Sequence, residues 1–282
     1  MSMDAIRNKI DFAVVVSVNG ANPNGDPLNG NRPRVTMDGL GEISDVCIKR
    51  KIRNRVQDMG GSIFVQSDDR TVDDFKSLRE RADKVLKQFP KAKDRKGFVE
   101  AACKEWFDVR AFGQLFAFKN SGGIDAVSIG IRGPVTIRPA LSVCPVCTTS
   151  NQITKSVNSE TGDKRGADTM GLKHRVDHGL YVFYGSVNVQ LAQKTGFSDE
   201  DAKTLKEALL TLFQNDCSSA RPDGSMDVER VYWWSHNCPS GQYSSAKVHS
   251  SLNITPLCSD PAGMDDYELK IESLEGLEPE IY

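Results

Sequence analysis

A run of apolar residues near the start of the chain, FAVVVSV at 12–18, constrains the fold more than any other feature. Its β-branched side chains predict a buried strand. The next residues, 19–34, are dominated by Asn, Gly and Pro, which exclude regular structure there. A helix then begins at Ser44 or Asp45 and runs to about Met59. The chain therefore opens with a strand, an irregular loop and a helix.

The rest of the chain alternates between strand and helix patterns. Helices are predicted at 71–89, 97–107 and 198–215, and strands at 62–66, 126–131, 135–137, 179–191, 227–234, 248–254 and 267–272. Residues 141–178 are polar and contain scattered Lys and Arg, which predicts a long loop or a protruding hairpin. The order strand–helix–strand, insertion, strand–helix–strand predicts an α+β fold with a split βαβ, ferredoxin-like core.

Charge is distributed unevenly along the chain. Residues 259–282 carry eight carboxylates against Lys270 alone, a net of −7, and since the whole chain carries −2, residues 1–258 carry +5. A basic body with an acidic tail is typical of nucleic-acid-binding proteins, but an ordinary solvated terminus has the same composition. Seven Cys without a framework spacing indicate reduced thiols. With no apolar run long enough to span a bilayer and no secretion signal, we expect a cytoplasmic protein.

The helix carries five cations in seven residues, KRKIRNR at 49–55. Helical spacing places Lys49, Arg50 and Arg53 on one flank of its apolar face, and Lys51 and Arg55 on the other. Such a stripe is suited to a phosphate backbone, and we predict contact with RNA or DNA over the alternative, a solvated face whose stems cover apolar surface. Within the helix only two carboxylates offset the five cations.

The loop before the helix strengthens this prediction. Asn22 and Asn24 offer amide donors, the glycines allow close approach of a ligand, and Arg32 and Arg34 add charge. The loop lacks the Gly-Lys-Ser/Thr of a Walker loop and the Gly and Glu positions of an EF-hand loop. An ordinary surface loop remains the alternative.

Two residue pairs raise the question of a metal or catalytic site. Cys144 and Cys147 form a CxxC pair, and His174 and His178 form an HxxxH pair. The 26 residues between the pairs exceed the spacing of a zinc finger, and the metalloprotease Glu is absent, so zinc binding stays open. His174 lies between Lys173 and Arg175, a setting for metal-independent RNA cleavage, although cations that simply hold RNA are the favoured interpretation.

Several segments together resemble the backbone subunit of type I CRISPR Cascade complexes, in the RAMP superfamily and closest to the subtype I-C form. The order of the matches, which cover most of residues 10–225, is specific, whereas each match alone is weak. The matches are NPNGDP at 22–27, GNRPRV at 30–35, SDVCIKRKIRN at 44–54, WFDVRAFG at 106–113, GPV at 133–135, ITKSVN at 153–158, TMGLKHRVDHGLYVFYG at 169–185 and SSARPDG at 218–224.

The resemblance implies a modified RRM-type palm with inserted helical fingers and a protruding thumb hairpin. The implied boundaries are 1–70 for the first half of the palm, 71–123 for the fingers, 124–140 for palm strands, 141–178 for the thumb and 179–282 for the second half with the acidic tail. Residues 226–282 match no motif of the family.

The resemblance also implies a function. Many copies assemble head to tail along one guide RNA beside other Cascade subunits, and the guide pairs with target DNA. The basic helix and loop hold the RNA backbone, and Thr169 and Met170 are candidates for the thumb tip. We expect no cofactor, no membrane and no catalysis; the alternative is a metal-independent endoribonuclease that processes the guide precursor. The candidate RNA-binding residues are Asn22, Asn24, Arg32, Arg34, Lys49, Arg50, Lys51, Arg53, Arg55, Thr169, Met170, Lys173, His174 and Arg175.

Overall fold

A computed structural model of the chain describes residues 5–89, 94–117, 128–155 and 170–282. The strands are β1 Ile10–Ala21, β2 Gly25–Asp26, β3 Arg32–Pro33, β4 Leu40–Ile43, β5 Gly113–Phe116, β6 Ile129–Arg132, β7 Val135–Ile137, β8 Ala140–Pro145, β9 Thr148–Thr154, β10 Met170–Val187, β11 Met226–Ser235, β12 Leu252–Pro256, β13 Tyr267–Ile271 and β14 Glu280–Ile281. The helices are α1 Asp45–Asp58, α2 Leu78–Gln88, α3 Arg95–Glu105, α4 Phe107–Phe112, α5 Val189–Thr195, α6 Asp199–Leu210 and α7 Ser245–Ser250.

One large antiparallel sheet organises these elements. Its order is β14, β11, β1, β10, β8, β4, and β7 and β9 also pair with β10. The predicted buried strand is confirmed as β1, which lies between β10 and β11 and is buried from Ile10 to Val18. The mixed architecture of helices on a large antiparallel sheet confirms the predicted class at this level.

Side chains from the two faces of β1 enter two separate cores. Phe12, Val14 and Val16 pack with apolar residues of α1, α4, α5 and α6. Ala13 and Val15 point to the opposite face, where α7 and the β12–β13 hairpin cover them. This alternation follows from the period of two in a strand, and it places β1 between a layer of helices and a layer formed by α7 and the β12–β13 hairpin. A third core joins α2 and α3 to β5 and β6.

The predicted strand at 62–66 is wrong, because side chains rather than a neighbouring strand satisfy its backbone. The Phe64 and Val65 N–H groups donate to the Asp108 carboxylate at 2.7 and 3.1 Å. The Val65 carbonyl accepts from Arg50 Nη1 at 2.6 Å. A buried backbone needs partners but not necessarily those of a sheet, so the segment bends at Phe64 and Val65 and forms no ladder.

Three other predicted boundaries also differ from the structure. The helix predicted from residue 71 begins at Leu78, because the Ser77 hydroxyl accepts from the Glu80 N–H and caps it there. The strand predicted at 179–191 ends at Val187, and α5 follows it. The strand predicted at 248–254 is α7 followed by β12, again after a serine cap at Ser244.

The predicted hairpin region contains an antiparallel ladder. Residues 148–154 of β9 pair with residues 170–176 of β10, in register from Thr148 opposite Val176 to Thr154 opposite Met170. The same long strand then pairs with β8 and β7 and runs beside β1. The predicted domain boundaries stay predictions. None of the described helices combines the length and apolar composition needed to cross a membrane.

Gly185 allows β10 to pass close to its neighbours, which leads to a prediction about stability. A Cβ there would contact the Phe12 ring and lie 2.7 Å from the Thr136 carbonyl oxygen. Gly185→Ala should therefore lower the free energy of unfolding by about 1–3 kcal/mol through overpacking. Urea unfolding measures the change. The matched control is Gly130→Ala, also in a strand, where the nearest atom would be 3.9 Å away; equal effects of the two variants would contradict the packing argument.

Candidate nucleic-acid interface

The loop after β1 is shaped by its asparagines. Asn22 is buried, and its Nδ2 donates to the Asn31 carbonyl oxygen at 2.7 Å. Asn24 Oδ1 accepts from the Ser44 N–H at 2.9 Å and lies 2.8 Å from the Ser44 hydroxyl. Because Ser44 caps α1, Asn24 fixes the loop to the start of the basic helix. These two amides hold the loop in place. Asn31 already occupies the space that a side chain at Gly25 would take, so this glycine serves the packing of the loop and does not leave room for a ligand.

The two arginines of the loop differ in their surroundings. Arg34 is partly buried, and its Nη2 lies 3.5 Å from the Asp26 carboxylate. Arg32 is exposed on β3, and this strand packs against β10. The loop and the long strand therefore meet, and Arg32 presents its charge where they do.

The β9–β10 ladder continues this surface. Lys173 and Arg175 alternate with buried positions on β10, so both point to solvent. Arg175 Nε lies 3.1 Å from Asp177, whose carboxylate also accepts from the Thr149 hydroxyl. The hydrogen bond from Thr149, together with Arg175, lowers the pKa of Asp177. Arg175 remains about half exposed, and Lys173 has no described carboxylate within ion-pair distance.

The two histidines are less exposed than these cations. His174 is 6% exposed, and its Nδ1 lies 2.7 Å from the Ser150 hydroxyl. His178 Nδ1 lies 2.6 Å from Asn19 Oδ1, and burial lowers the pKa of its ring. Both side chains are engaged by neighbouring strands. Among the described residues, no group of three or more His, Cys, Asp or Glu is arranged to hold a metal ion, Cys144 and Cys147 included.

Apolar side chains are exposed at the ends of β9 and β10 that lie farthest from the sheet. Ile153, Met170 and Leu172 are each more than half exposed. The candidate tip residue Thr169 lies outside the described residues, and Met170 is the first described residue of β10. An exposed apolar cluster of this kind is suited to contact with another chain.

The first flank of the basic helix is only partly available. Lys49 Nζ forms an i,i+4 ion pair with Asp45 at 2.9 Å. Arg53 Nε lies 2.9 Å from Asp108, and its guanidinium lies over the Phe112 ring. Arg50 donates to the backbone as described above, and burial, with the nearby Arg53, lowers the pKa of its guanidinium. These three cations are therefore partly buried and already have partners within the protein.

The second flank is used internally. Lys51 is 4% exposed and forms a short ion pair with Asp216, and burial lowers the pKa of its ammonium. Arg55 donates to the Thr211 hydroxyl at 2.7 Å and to Gln214 Oε1 at 2.8 Å. Both residues attach α1 to the end of α6. The expectation was that two carboxylates within the helix cannot neutralise its five cations. In the structure Asp45 pairs with Lys49, while Asp108 and Asp216, elsewhere in the chain, pair with Arg53 and Lys51. The other two cations, Arg50 and Arg55, donate to neutral groups.

The structure brings the candidate residues of the loop and of the β9–β10 ladder together. The end of β1 pairs with β10 at Ala21 opposite Val176, so the loop, β3 and the start of β10 meet at one end of the sheet. The segment around Arg221 joins them there, since the Asn22 N–H donates to the Ala220 carbonyl oxygen. Arg221 lies in the matched segment SSARPDG but was not named among the candidate residues; it pairs with Asp216 at 3.3 Å. Lys51 pairs with the same Asp216 carboxylate and so lies beside Arg221, whereas Arg55 contacts Thr211 and Gln214 at the end of α6.

The chain belongs to the family of CRISPR-associated protein Cas7, whose family model matches residues 8–272. A curated relative from Haloferax volcanii, described as CRISPR-associated protein Cas7, is 28% identical over 239 residues. That alignment covers 75% of this chain and 66% of the relative, so the chain spans less than two thirds of the relative's length. The resemblance found in the sequence is confirmed at the level of this family.

Two solved structures are similar to the chain at low identity. One, described as a CRISPR RNA-guided surveillance complex, pre-nicking, has 20% identity and a TM-score of 0.48, covering 80% of this chain and 75% of that one. Another, a CRISPR RNA-guided surveillance complex, has 17% identity and a TM-score of 0.45, covering 80% and 68%.

The burial of Lys51 predicts that two neighbouring cations differ sharply in their effect on stability. Lys51→Ala leaves Asp216 without its closest counter-charge and should lower the free energy of unfolding by about 3 kcal/mol. Lys49→Ala, which removes a pair on the helix surface, should change it by about 0.5 kcal/mol or less. Chemical denaturation of both variants provides the comparison, and a Lys51 variant as stable as the Lys49 variant would contradict the internal role.

Proposed function

We propose that this chain is an RNA-binding backbone subunit of a cytoplasmic, type I Cascade complex of the I-C kind. It holds a guide RNA by its phosphates, and the guide selects target DNA by base pairing. The observation that carries the proposal is the meeting of the loop, β3 and the β9–β10 ladder at one end of the sheet, with Arg32, Lys173 and Arg175 exposed there. Membership of the Cas7 family supports it.

Each candidate residue takes a role that its surroundings allow. Arg32, Lys173 and Arg175 make direct phosphate contacts, because their charges reach solvent. Asn22 and Asn24 position the loop that carries Arg32 and Arg34. The cations of the first helix flank, Lys49, Arg50 and Arg53, lie at the edge of the RNA-binding surface. Three other candidates support the fold, namely Lys51, Arg55 and His174.

The elements correspond to the parts expected for such a subunit. The large sheet with α1 and α6 on one face is the palm, and its strands β11, β1, β10 and β8 follow the order of a ferredoxin-like core. The separately packed α2, α3, β5 and β6 form the fingers. The β9–β10 ladder is the base of the thumb.

We propose that the subunit performs no chemistry on the RNA. Metal-independent cleavage needs a general base within reach of a phosphate. His174 is buried against Ser150, on the side of β10 opposite Lys173 and Arg175. His178 contacts Asn19 and lies 3.5 Å from the Tyr267 hydroxyl. This arrangement favours binding over the endoribonuclease alternative.

Assembly follows from two exposed apolar clusters. One consists of Ile153, Met170 and Leu172, here named the thumb cluster. The other, here named the loop cluster, is the set of exposed apolar residues between β1 and the first turn of α1, in which Leu28 is 98% exposed and Met37 and Val46 are also exposed. We propose that the thumb cluster of one copy packs on the loop cluster of the next. A contact between two different surfaces is heterologous and generates an open filament, so the guide RNA sets its length.

RNA binding should depend on the exposed cations and not on sequence. Replacing Arg32, Lys173 and Arg175 with Gln should weaken binding of unrelated RNAs about equally. The slope of log affinity against log salt should fall by about 0.7 for each phosphate that the variant no longer neutralises. Fluorescence anisotropy over a range of salt concentrations in EDTA measures both quantities.

The control for this experiment is Lys270→Gln, which removes an exposed cation on β13 that is not among the candidates. A triple variant that behaves like this control, or that loses affinity for one sequence alone, would remove the phosphate-contact proposal. The recovered RNA is then examined on a gel. Cleavage by the unaltered chain that disappears in His174→Ala would establish the endoribonuclease alternative instead.

Particle mass should grow with guide length. The unaltered chain on progressively longer RNAs should give stepwise larger particles in native mass spectrometry. Met170→Asp combined with Leu172→Asp should shorten or abolish the series, because a carboxylate in an apolar contact is costly. Leu257→Asp, at an equally exposed leucine outside both clusters, is the control. A mass that stays constant as the RNA lengthens would show a closed oligomer and exclude the filament.

A further inference from the structure

A small cavity lies between the finger elements and the palm, where α3, β6 and α5 come together. Its volume is about 240 Å³. Apolar side chains form part of its wall, and three polar side chains complete it. The apolar residues are Val99, Ile131 and Leu191, and the polar ones are Arg132, Lys194 and Thr195. Gly130 completes the lining, which therefore contains two cations and no carboxylate.

The polar side chains of this cavity have no hydrogen-bond or ion-pair partner within the described part of the chain. Arg132 and Lys194 are exposed, and neither side chain forms an ion pair or hydrogen bond with a described residue. The Thr195 side chain is 6% exposed, and its buried hydroxyl has no hydrogen-bond partner there. A buried hydroxyl without a partner costs about 1–3 kcal/mol, and native structures usually supply one. The cations of α1, in contrast, all have internal partners.

The cavity lies far from the candidate nucleic-acid interface. That interface is at the end of the sheet where Ala21 pairs with Val176, whereas α5 begins just after the other end, where Ile10 pairs with Val187. The eleven residue-to-residue steps from Ile10 to Ala21 correspond to about 35 Å at the usual rise. One phosphate cannot contact both places.

We propose that Arg132, Lys194 and Thr195 bind a phosphate group of a nucleic-acid strand at a second site. Two cations with a hydroxyl suit a phosphate, since its oxygens accept charge-assisted hydrogen bonds from several donors at once. The cavity is smaller than the roughly 300 Å³ at which sites for whole small molecules begin, which favours a phosphate group over a complete metabolite. That the phosphate belongs to a nucleic acid rests on the proposed function.

The phosphate site itself is tested without any nucleic acid. Inorganic phosphate is titrated into the full chain while NMR follows the Thr195 amide and the Arg132 side-chain N–H. Both resonances should shift and saturate, and Thr195→Val should weaken the binding. In Arg132→Gln with Lys194→Gln the Thr195 shift should disappear, while in Lys203→Gln, an exposed cation of α6 outside the cavity, it should persist. Resonances that do not move in the unaltered chain would overturn the site.

Oligonucleotides then identify the source of the phosphate. Single-stranded RNA and single-stranded DNA are bound in separate arms over a range of salt concentrations. Arg132→Gln with Lys194→Gln should reduce the salt slope by about 0.7 for each phosphate that is no longer bound, and Lys203→Gln should not. A reduced slope in the RNA arm assigns the site to the guide, and one confined to the DNA arm assigns it to a second strand.

The two proposals fail in different ways. Phosphate binding together with unchanged slopes in both arms would mean a free-anion site, and the nucleic-acid part of this inference would be withdrawn. Loss of binding in the Arg32, Lys173 and Arg175 variant with retained phosphate shifts leaves the second site intact. No binding of either oligonucleotide by the unaltered chain, with phosphate shifts retained, would overturn the proposed function and the strand assignment but not the anion site.

Discussion

The burial of β1 on both faces is the constraint on which the rest of the structure depends. A strand with no polar side toward solvent requires cover above and below, and here helices supply one layer while α7 and the β12–β13 hairpin supply the other. Its pairing with β10 along eleven positions also fixes where the chain turns. The loop after Ala21 therefore leaves the sheet beside the β9–β10 ladder, although about 150 residues of sequence separate the two. The candidate interface is a consequence of this register.

Local signals sufficed where an element satisfies its own backbone or carries its own cap. β1, α1 and α6 were predictable because apolar spacing coincides with a serine cap or a β-branched run, and α6 has a complete capping box at Ser198. The segment at 62–66 shows the limit. Its composition suits a strand, but the partner that captures its N–H groups is Asp108, more than forty residues away. Nothing near Phe64 in the sequence indicates that a carboxylate replaces a strand.

The same limit applies to the candidate site. The run from Lys49 to Arg55 was visible as charge, but charge alone does not say which cations are already neutralised. Lys51 meets Asp216 at a separation of 165 residues, and Arg53 meets Asp108 at 55. Periodicity places Lys51 next to the apolar face and so gives a hint of burial, but the partner is fixed only by the packing of α6 on α1. Each of the exposed cations Arg32, Lys173 and Arg175 was predictable as a candidate. That they lie close together was not, because it depends on the register in which β1 pairs with β10.

Few of the candidate cations remain exposed on one subunit, and this is consistent with a repeating subunit rather than a self-sufficient binder. Each phosphate contact contributes a small, salt-sensitive increment, so the three contacts proposed for one copy would hold RNA weakly. Copies that touch their neighbours on a common strand convert later binding steps into effectively intramolecular ones, and affinity then rises without any new kind of contact. Under the proposed function, internal pairing of the other helix cations would cost the single subunit RNA affinity while it stabilises the fold. The proposed filament would offset that loss, because the number of copies would replace the number of charges on each one.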